Sequence, residues 1–179
     1  MRHFLQLATG LDTQPILVAL AARPDLWNER NLRTAHPDSP HSEVDDIWVW
    51  FNDVTDPAAV VNDLDCVPYR AWFELPLQDL VLNVMRAVRG VRLGRVIISR
   101  LRPGASIAPH VDEGAPATYY TRYHVALQSL PGALNHAGDE TVTYAPGDLF
   151  WFDNKAEHSV VNNSADDRIV IVIDARVAC

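Results

Sequence analysis

The feature that most limits the fold of this chain is a change of texture at residue 94. Beyond it, short apolar stretches alternate with Pro/Gly and Asn turns. The stretches are 95–101, 107–111, 122–127, 140–144, 149–152, 158–161 and 168–174. The interruptions include Arg102-Pro103-Gly104, Pro131-Gly132, Ala145-Pro146-Gly147-Asp148, Asp153-Asn154 and Asn162-Asn163. Many short strands at near-regular spacing predict an antiparallel sandwich or jelly roll. No internal repeat, low-complexity tract or inter-domain linker is evident, so residues 1–179 read as a single domain.

The first half is mixed. Residues 1–12 suit a first strand and turn. Residues 14–22 predict a short helix, with Pro15 in its first turn, Ile16, Leu17, Leu20 and Ala21 on one face, and Pro24 ending it. Residues 23–46 are polar and long for a connection in a compact domain; the 28–46 part suits either a lid over a pocket mouth or a solvated loop. Ile47-Trp48-Val49-Trp50-Phe51 is a strand by content. Residues 52–75 read as irregular, with turns at Asn52-Asp53, Pro57 and Pro68, and with Trp72 and Phe73 in the core. Residues 77–89 form the clearest helix: Leu77, Leu80, Val81, Val84, Met85 and Val88 recur at helical spacing and Gly90 closes it. These N-terminal helices are expected to pack on an outer face of the sheet.

Composition bounds the partners. A net charge of −8 argues against a nucleic-acid backbone, yet leaves room for a small anion held by a few arginines. Cys66 and Cys179 have no metal-like spacing and read as thiols of a reducing cytoplasm. No apolar run approaches the ~20 residues of a membrane span. A soluble, cytoplasmic protein with a small-molecule or peptide substrate is the expectation; oligomeric state is not legible.

Within this frame, one set of residues carries chemistry. His110 and Asp112 are two apart, and alternate residues of an extended strand share a face. His158, entering a later strand, can complete a set of two imidazoles and one carboxylate, the donor set of non-heme Fe(II) oxygenases. Ten residues on, Arg168 opens the run Arg168-Ile169-Val170-Ile171-Val172-Ile173. A guanidinium on such a strand needs an anionic partner: Asp174 on the same face, or a dicarboxylate cosubstrate. Arg122 and His124 form another same-face pair. His3, His36, His41 and His136 lack such context and are given no metal role; His36 and His41, in the 28–46 loop, are candidates for a substrate contact. Phe150-Trp151-Phe152 suits core packing. Tyr119 and Tyr120 are further places to seek substrate contacts.

Residues 95–176 resemble the aspartyl/asparaginyl β-hydroxylase group of Fe(II)/2-oxoglutarate-dependent oxygenases, which includes bacterial hydroxylases of free proline. The resemblance rests on several pieces in order. The first are Ile98-Ser99-Arg100-Leu101-Arg102-Pro103-Gly104, Ile107-Ala108-Pro109-His110 and Arg122-Tyr123-His124-Val125-Ala126-Leu127. Then come Pro146-Gly147-Asp148-Leu149-Phe150-Trp151-Phe152-Asp153-Asn154, His158-Ser159-Val160, and Arg168-Ile169-Val170 with Asp174. It implies a mainly β fold with flanking helices, a double-stranded β-helix (jelly roll) with its core at 95–179 and residues 1–94 packing on the barrel.

The resemblance also implies Fe(II) on His110 and His158, and Arg168 pairing with the far carboxylate of 2-oxoglutarate, assisted by Ser99. Arg122 and His124 would lie near the cosubstrate or the substrate carboxylate. With O2 as the second cosubstrate, the implied activity is hydroxylation of an unactivated C–H bond. The animal members of the group carry a glycine where Asp112 stands; this chain keeps the full triad, as the bacterial free-amino-acid hydroxylases do. A free amino acid or small peptide is therefore the expected substrate, with an Asp/Asn or other side chain of a protein as the alternative. A cupin-like metal or small-molecule binding protein is the non-oxidative alternative. Cupins usually show HxH where this chain shows HxD.

Overall fold

Residues 2–54 and 59–178 are described by the structure, a computed structural model; Pro57 and Cys179 lie outside them. The strands are β1 (Phe4–Ala8), β2 (Val44–Phe51), β3 (Val67–Pro68), β4 (Gly90–Leu101), β5 (Ser106–His110), β6 (Thr121–Gln128), β7 (Ala133–Ala137), β8 (Glu140–Val142), β9 (Leu149–Phe152), β10 (His158–Asn162) and β11 (Arg168–Val177). The helices are α1 (Gln14–Ala22), α2 (Leu32–Ala35), α3 (Ala59–Asn62), α4 (Arg70–Glu74), α5 (Gln78–Ala87) and α6 (Gly114–Tyr119). Two antiparallel sheets result. One has seven strands in the order β1-β9-β6-β11-β4-β2-β3; the other has four, β5-β10-β7-β8. This is the jelly roll expected from the second half of the chain. The N-terminal part does more than pack on it, because β1 pairs with β9 and β2 with β4.

Strand alternation sorts the large sheet into two faces. Ile169, Ile171, Ile173 and Ala175 of β11, Tyr123, Val125 and Leu127 of β6, and Val96 and Ile98 of β4 lie in one cluster with Ile16 and Leu20 of α1 and Val81 and Val84 of α5. That is the helix-covered outer face. The other set, including Arg168, Val170, Val172 and Asp174 of β11, faces the small sheet. Burying aliphatic side chains of this kind contributes roughly 1.5–3 kcal/mol each, so the outer layer is a main source of stability. It also pins register, since a slip of one residue would send Arg168 to the helix side. Asn162 fixes where β11 begins: fully buried, its Nδ2 donates to the carbonyls of Leu101 (2.8 Å) and Asp166 (2.9 Å).

Several local expectations change. The left-handed residue after α5 is Arg89 (φ 55°), not Gly90. Gly90 starts β4, where a Cβ would lie 2.6 Å from Met85 Cε. Trp72 is partly buried against the helix-side cluster, but Phe73 is 70% exposed and is not core. The irregular 52–75 region contains α3, β3 and α4. Strand β7 has no counterpart in the sequence reading, because Ala133-Leu134-Asn135-His136-Ala137 lacks β-branched and aromatic residues. Among the described residues no helix is long and apolar enough to cross a membrane.

Candidate metal and anion site

A cavity of about 210 Å³ lies between the sheets, and its lining includes Ser99, His110, Asp112, Arg122, His124, His158 and Arg168. All seven residues picked from the sequence therefore come to one place, although they arise from five strands and a loop.

His110 and His158 are direct cross-strand partners on β5 and β10, with ring centroids 4.2 Å apart. Asp112 follows β5 and is held by its own N–H, which donates to the Asn154 carbonyl (3.3 Å). Its Oδ1 lies 3.6 Å from His110 Nε2 and 3.8 Å from His158 Nε2. One ligand atom from each residue falls within 4.8 Å of the others. Each imidazole is turned by the same device. His110 Nδ1 bonds the Ala108 carbonyl at 2.8 Å, and His158 Nδ1 bonds the Ala156 carbonyl at 2.9 Å. A carbonyl only accepts, so Nδ1 carries the proton and Nε2 keeps its lone pair toward the shared centre.

His110 Nε2 is buried without a hydrogen-bond partner. An orphaned acceptor beside a carboxylate and a second imidazole fits a divalent cation. Burial depresses His158, outweighing Asp112 and the Ala156 carbonyl, so this ring is neutral at pH 7. Burial acts to raise the Asp112 carboxyl, but Arg122 and the two imidazoles hold it well below the usual carboxylate range. His158 and Asp112 thus stand in the protonation states that metal binding requires.

Arg122 is committed within the fold. Its Nε and Nη2 donate to the two oxygens of Asp174 (2.8 and 3.0 Å), and its Nη1 to Asp112 Oδ2. It orients the carboxylate of the triad; in this structure it is not an open anion site. His124 is stacked on Phe152 (4.8 Å) with Nδ1 3.1 Å from the Tyr144 hydroxyl. Burial, reinforced by Arg168 and Arg122, pushes its pKa far down, so it is a neutral ring.

Arg168 is the opposite case from Arg122. It is 2% exposed, and Asp174, the carboxylate on its own face, is taken by Arg122. Asp167 lies 3.8 Å from Arg100. Among the described residues no carboxylate pairs with Arg168. Its Nη2 donates to Asn135 Oδ1 (2.5 Å), its Nε has no partner, and the guanidinium carbon sits 5.8 Å from the Tyr144 ring centroid. Burial lowers its pKa to about 10, so it stays charged at pH 7. Ser99, opposite Val170 in register, lines the same cavity.

The sequence reading missed Asn135, Tyr144, Arg33 and Arg95 at this cavity. Arg33 and His41 come from the 28–46 loop, most of which is exposed to solvent. Arg33 forks onto Asp46 (2.8 and 2.7 Å), the Pro40 carbonyl accepts the Ala108 N–H (3.1 Å), and His41 stands edge-on to His110 at 4.8 Å. His36 is exposed and outside the lining. Neither Tyr119 nor Tyr120 lines the cavity: Tyr120 is buried with its hydroxyl on the Leu64 carbonyl, and Tyr119 stacks under Arg176. Of the run expected in the core, Phe150 and Phe152 pack the barrel interior, while Trp151, on the opposite face of β9, packs against the helix-side cluster.

Fold and site together define a double-stranded β-helix with a His-Asp-His cluster and a buried unpaired arginine. The family model for aspartyl/asparaginyl beta-hydroxylase matches residues 76–177, and the chain belongs to that family. The match reaches back into α5, beyond the 95–176 stretch that carries the sequence resemblance. The mouse and human aspartyl/asparaginyl beta-hydroxylases are each 27% identical over 101 residues, which is 55% of this chain and 13% of theirs. This chain therefore matches only a small part of those relatives' length. An oxidoreductase of the 2OG-Fe(II) oxygenase family from Burkholderia pseudomallei shares the fold, with a TM-score of 0.54 at 17% identity over 73% of this chain and 65% of that one.

Proposed function

We propose that this chain is an Fe(II)- and 2-oxoglutarate-dependent hydroxylase of an unactivated C–H bond in a free amino acid or small peptide, acting in the cytoplasm. The observation that carries the proposal is the convergence of His110, Asp112 and His158 on one centre, with both Nε2 atoms fixed toward it. When bound, the iron and 2-oxoglutarate would supply the oxidising chemistry, turning O2 and the keto acid into a hydroxyl group on the substrate, succinate and CO2. The protein's part is placement. His110, Asp112 and His158 would hold the metal. Arg168 presents a desolvated cation to the remote carboxylate of the keto acid, where a charge-assisted pair is strong. Ser99 adds a hydroxyl beside it. Arg122 keeps Asp112 ionised and aimed. The loop residues Arg33 and His41 narrow the mouth on the substrate side and limit water.

A cupin-like binding protein has no use for a buried, unpaired arginine ten residues beyond the last ligand. Anaerobic titration with Fe(II) and 2-oxoglutarate tests the proposal: a visible charge-transfer band is expected, and its absence refutes it. Succinate release, screened over amino acids, peptides and folded proteins, separates the small-molecule substrate from a protein side chain. His110→Ala and Asp112→Ala are each expected to abolish 2-oxoglutarate-dependent succinate release. Turnover retained in both would remove the triad from its role.

A further inference from the structure

We infer that Asn135 is a positioning residue for the anion site. Its neutral amide aims the Arg168 guanidinium into the cavity without neutralising it, and so sets the selectivity for a keto acid with a second carboxylate. The inference rests on the cosubstrate reading of Arg168 given above.

A buried arginine in a folded chain ordinarily finds a carboxylate. Here the nearby acidic side chains are engaged elsewhere: Asp174, at the far end of the same strand, with Arg122, Asp112 also with Arg122, and Asp167 near Arg100. The partner Arg168 does have is Asn135, 3% exposed, on the facing sheet. Asn135 is itself fixed: it sits in the middle of β7, paired with Val160 of β10 and Val142 of β8, and its Nδ2 donates to the Val142 carbonyl at 3.3 Å. That bond leaves the amide oxygen, not the amide nitrogen, toward Arg168, so the amide cannot flip without losing both contacts. One guanidinium edge is thereby anchored, while Nε and the positive charge remain without a counterpart. Ser99 and Tyr144 border the same space, and neither brings a negative charge at neutral pH, since burial drives the Tyr144 hydroxyl pKa further up.

A carboxylate in place of this amide would have the same shape and the opposite consequence. Asn135→Asp would pair internally with Arg168, satisfy it without ligand, and repel an incoming carboxylate. The measurement is calorimetric binding of 2-oxoglutarate and of 2-oxopentanoate, which ends in a methyl group where 2-oxoglutarate has its second carboxylate. Mn(II) serves as the redox-inert metal and oxygen is excluded. In the Asn135→Asp protein, 2-oxoglutarate affinity is expected to fall about 100-fold. Binding of 2-oxopentanoate should stay within about threefold, since it makes no call on the charge. In the metal-free protein the buried cation gains a partner while the Val142 carbonyl loses its donor, so the melting temperature should change by only a few degrees.

Should Asn135→Asp fail to fold, Asn135→Ala removes the aiming contact without adding charge. It should cut the preference for 2-oxoglutarate over 2-oxopentanoate by about tenfold. A wild-type ratio of the two affinities in either folded variant overturns the role of Asn135 and leaves the cosubstrate reading standing. A wild-type protein that binds neither keto acid with Mn(II) removes the cosubstrate reading, and this role with it.

Discussion

Replacing Arg168 by Met is expected to stabilise the metal-free protein while abolishing its hold on 2-oxoglutarate. Arg168 is 2% exposed, and among the described residues its one hydrogen bond goes to a neutral amide. Burial lowers its pKa from 12.5 to about 10, which corresponds to about 3 kcal/mol against the charged form. For a base whose folded value lies below its unfolded value, the unfolded chain binds more protons in between. The cost is therefore complete at neutral pH and is relieved only as pH rises from about 10 toward 12.5. Methionine fills much of the same slot with an unbranched apolar chain. Against this gain, Asn135 Oδ1 loses its donor, at a cost of about 1–2 kcal/mol. The net expectation is about 1–2 kcal/mol of stabilisation, or a melting temperature higher by about 5 °C in a chain of this length. Thermal and urea unfolding by circular dichroism in EDTA measures it, beside a Mn(II)-supported titration of 2-oxoglutarate in which affinity should fall at least about 100-fold. A variant destabilised by more than about 1 kcal/mol would mean that the fold already compensates the guanidinium, and the case for a cavity built to take an anion would fail.

Two further substitutions probe the surroundings. Arg122→Met leaves Asp112 and Asp174 without their shared cation and should cost about 3–5 kcal/mol at pH 7 in EDTA. The depressed Asp112 carboxyl contributes stability above its unfolded pKa and loses it as pH falls through the folded value. Removing Arg122 takes that advantage away, so the gap to wild type should narrow as pH falls below the unfolded value of about 3.8; urea unfolding at pH 7 and pH 3 checks this, and an equal gap refutes it. Gly147 has φ +82°, and a Cβ there would lie 2.7 Å from the Leu11 carbonyl oxygen. Gly147→Ala should therefore cost about 1–3 kcal/mol, seen as a lower urea midpoint, and an unchanged midpoint would show that the turn can relax.

What could be read from the sequence divides along a physical line. Enrichment in β-branched and aromatic residues marks strands whatever their partners, and β4, β6, β9, β10 and β11 carry it. The helix α1 was legible to the residue, because Pro15 and Pro24 bracket a short apolar repeat. The triad was legible because each member lies at a strand end where a turn signal sits close by. Parity along β11 puts Arg168 and Asp174 on one face, so the sequence left two partners open for the arginine: Asp174 or an external anion. Only the fold decides between them. Asp174 lies six residues along the same extended strand, about 20 Å from Arg168, and the register of β11 on β6 sets it directly opposite Arg122 instead.

The anchor from Asn135 was invisible for a related reason. Strand β7 is built of small and polar residues, and it is a strand because β10 and β8 pair with it on either side, not because of its own propensity. Local propensity registers residues that pack. The groups that tune this site, a neutral amide, a diverted carboxylate and a loop histidine over His110, act through long-range register instead. A local reading of the sequence therefore finds the metal ligands before it finds the residues that decide which anion sits beside them.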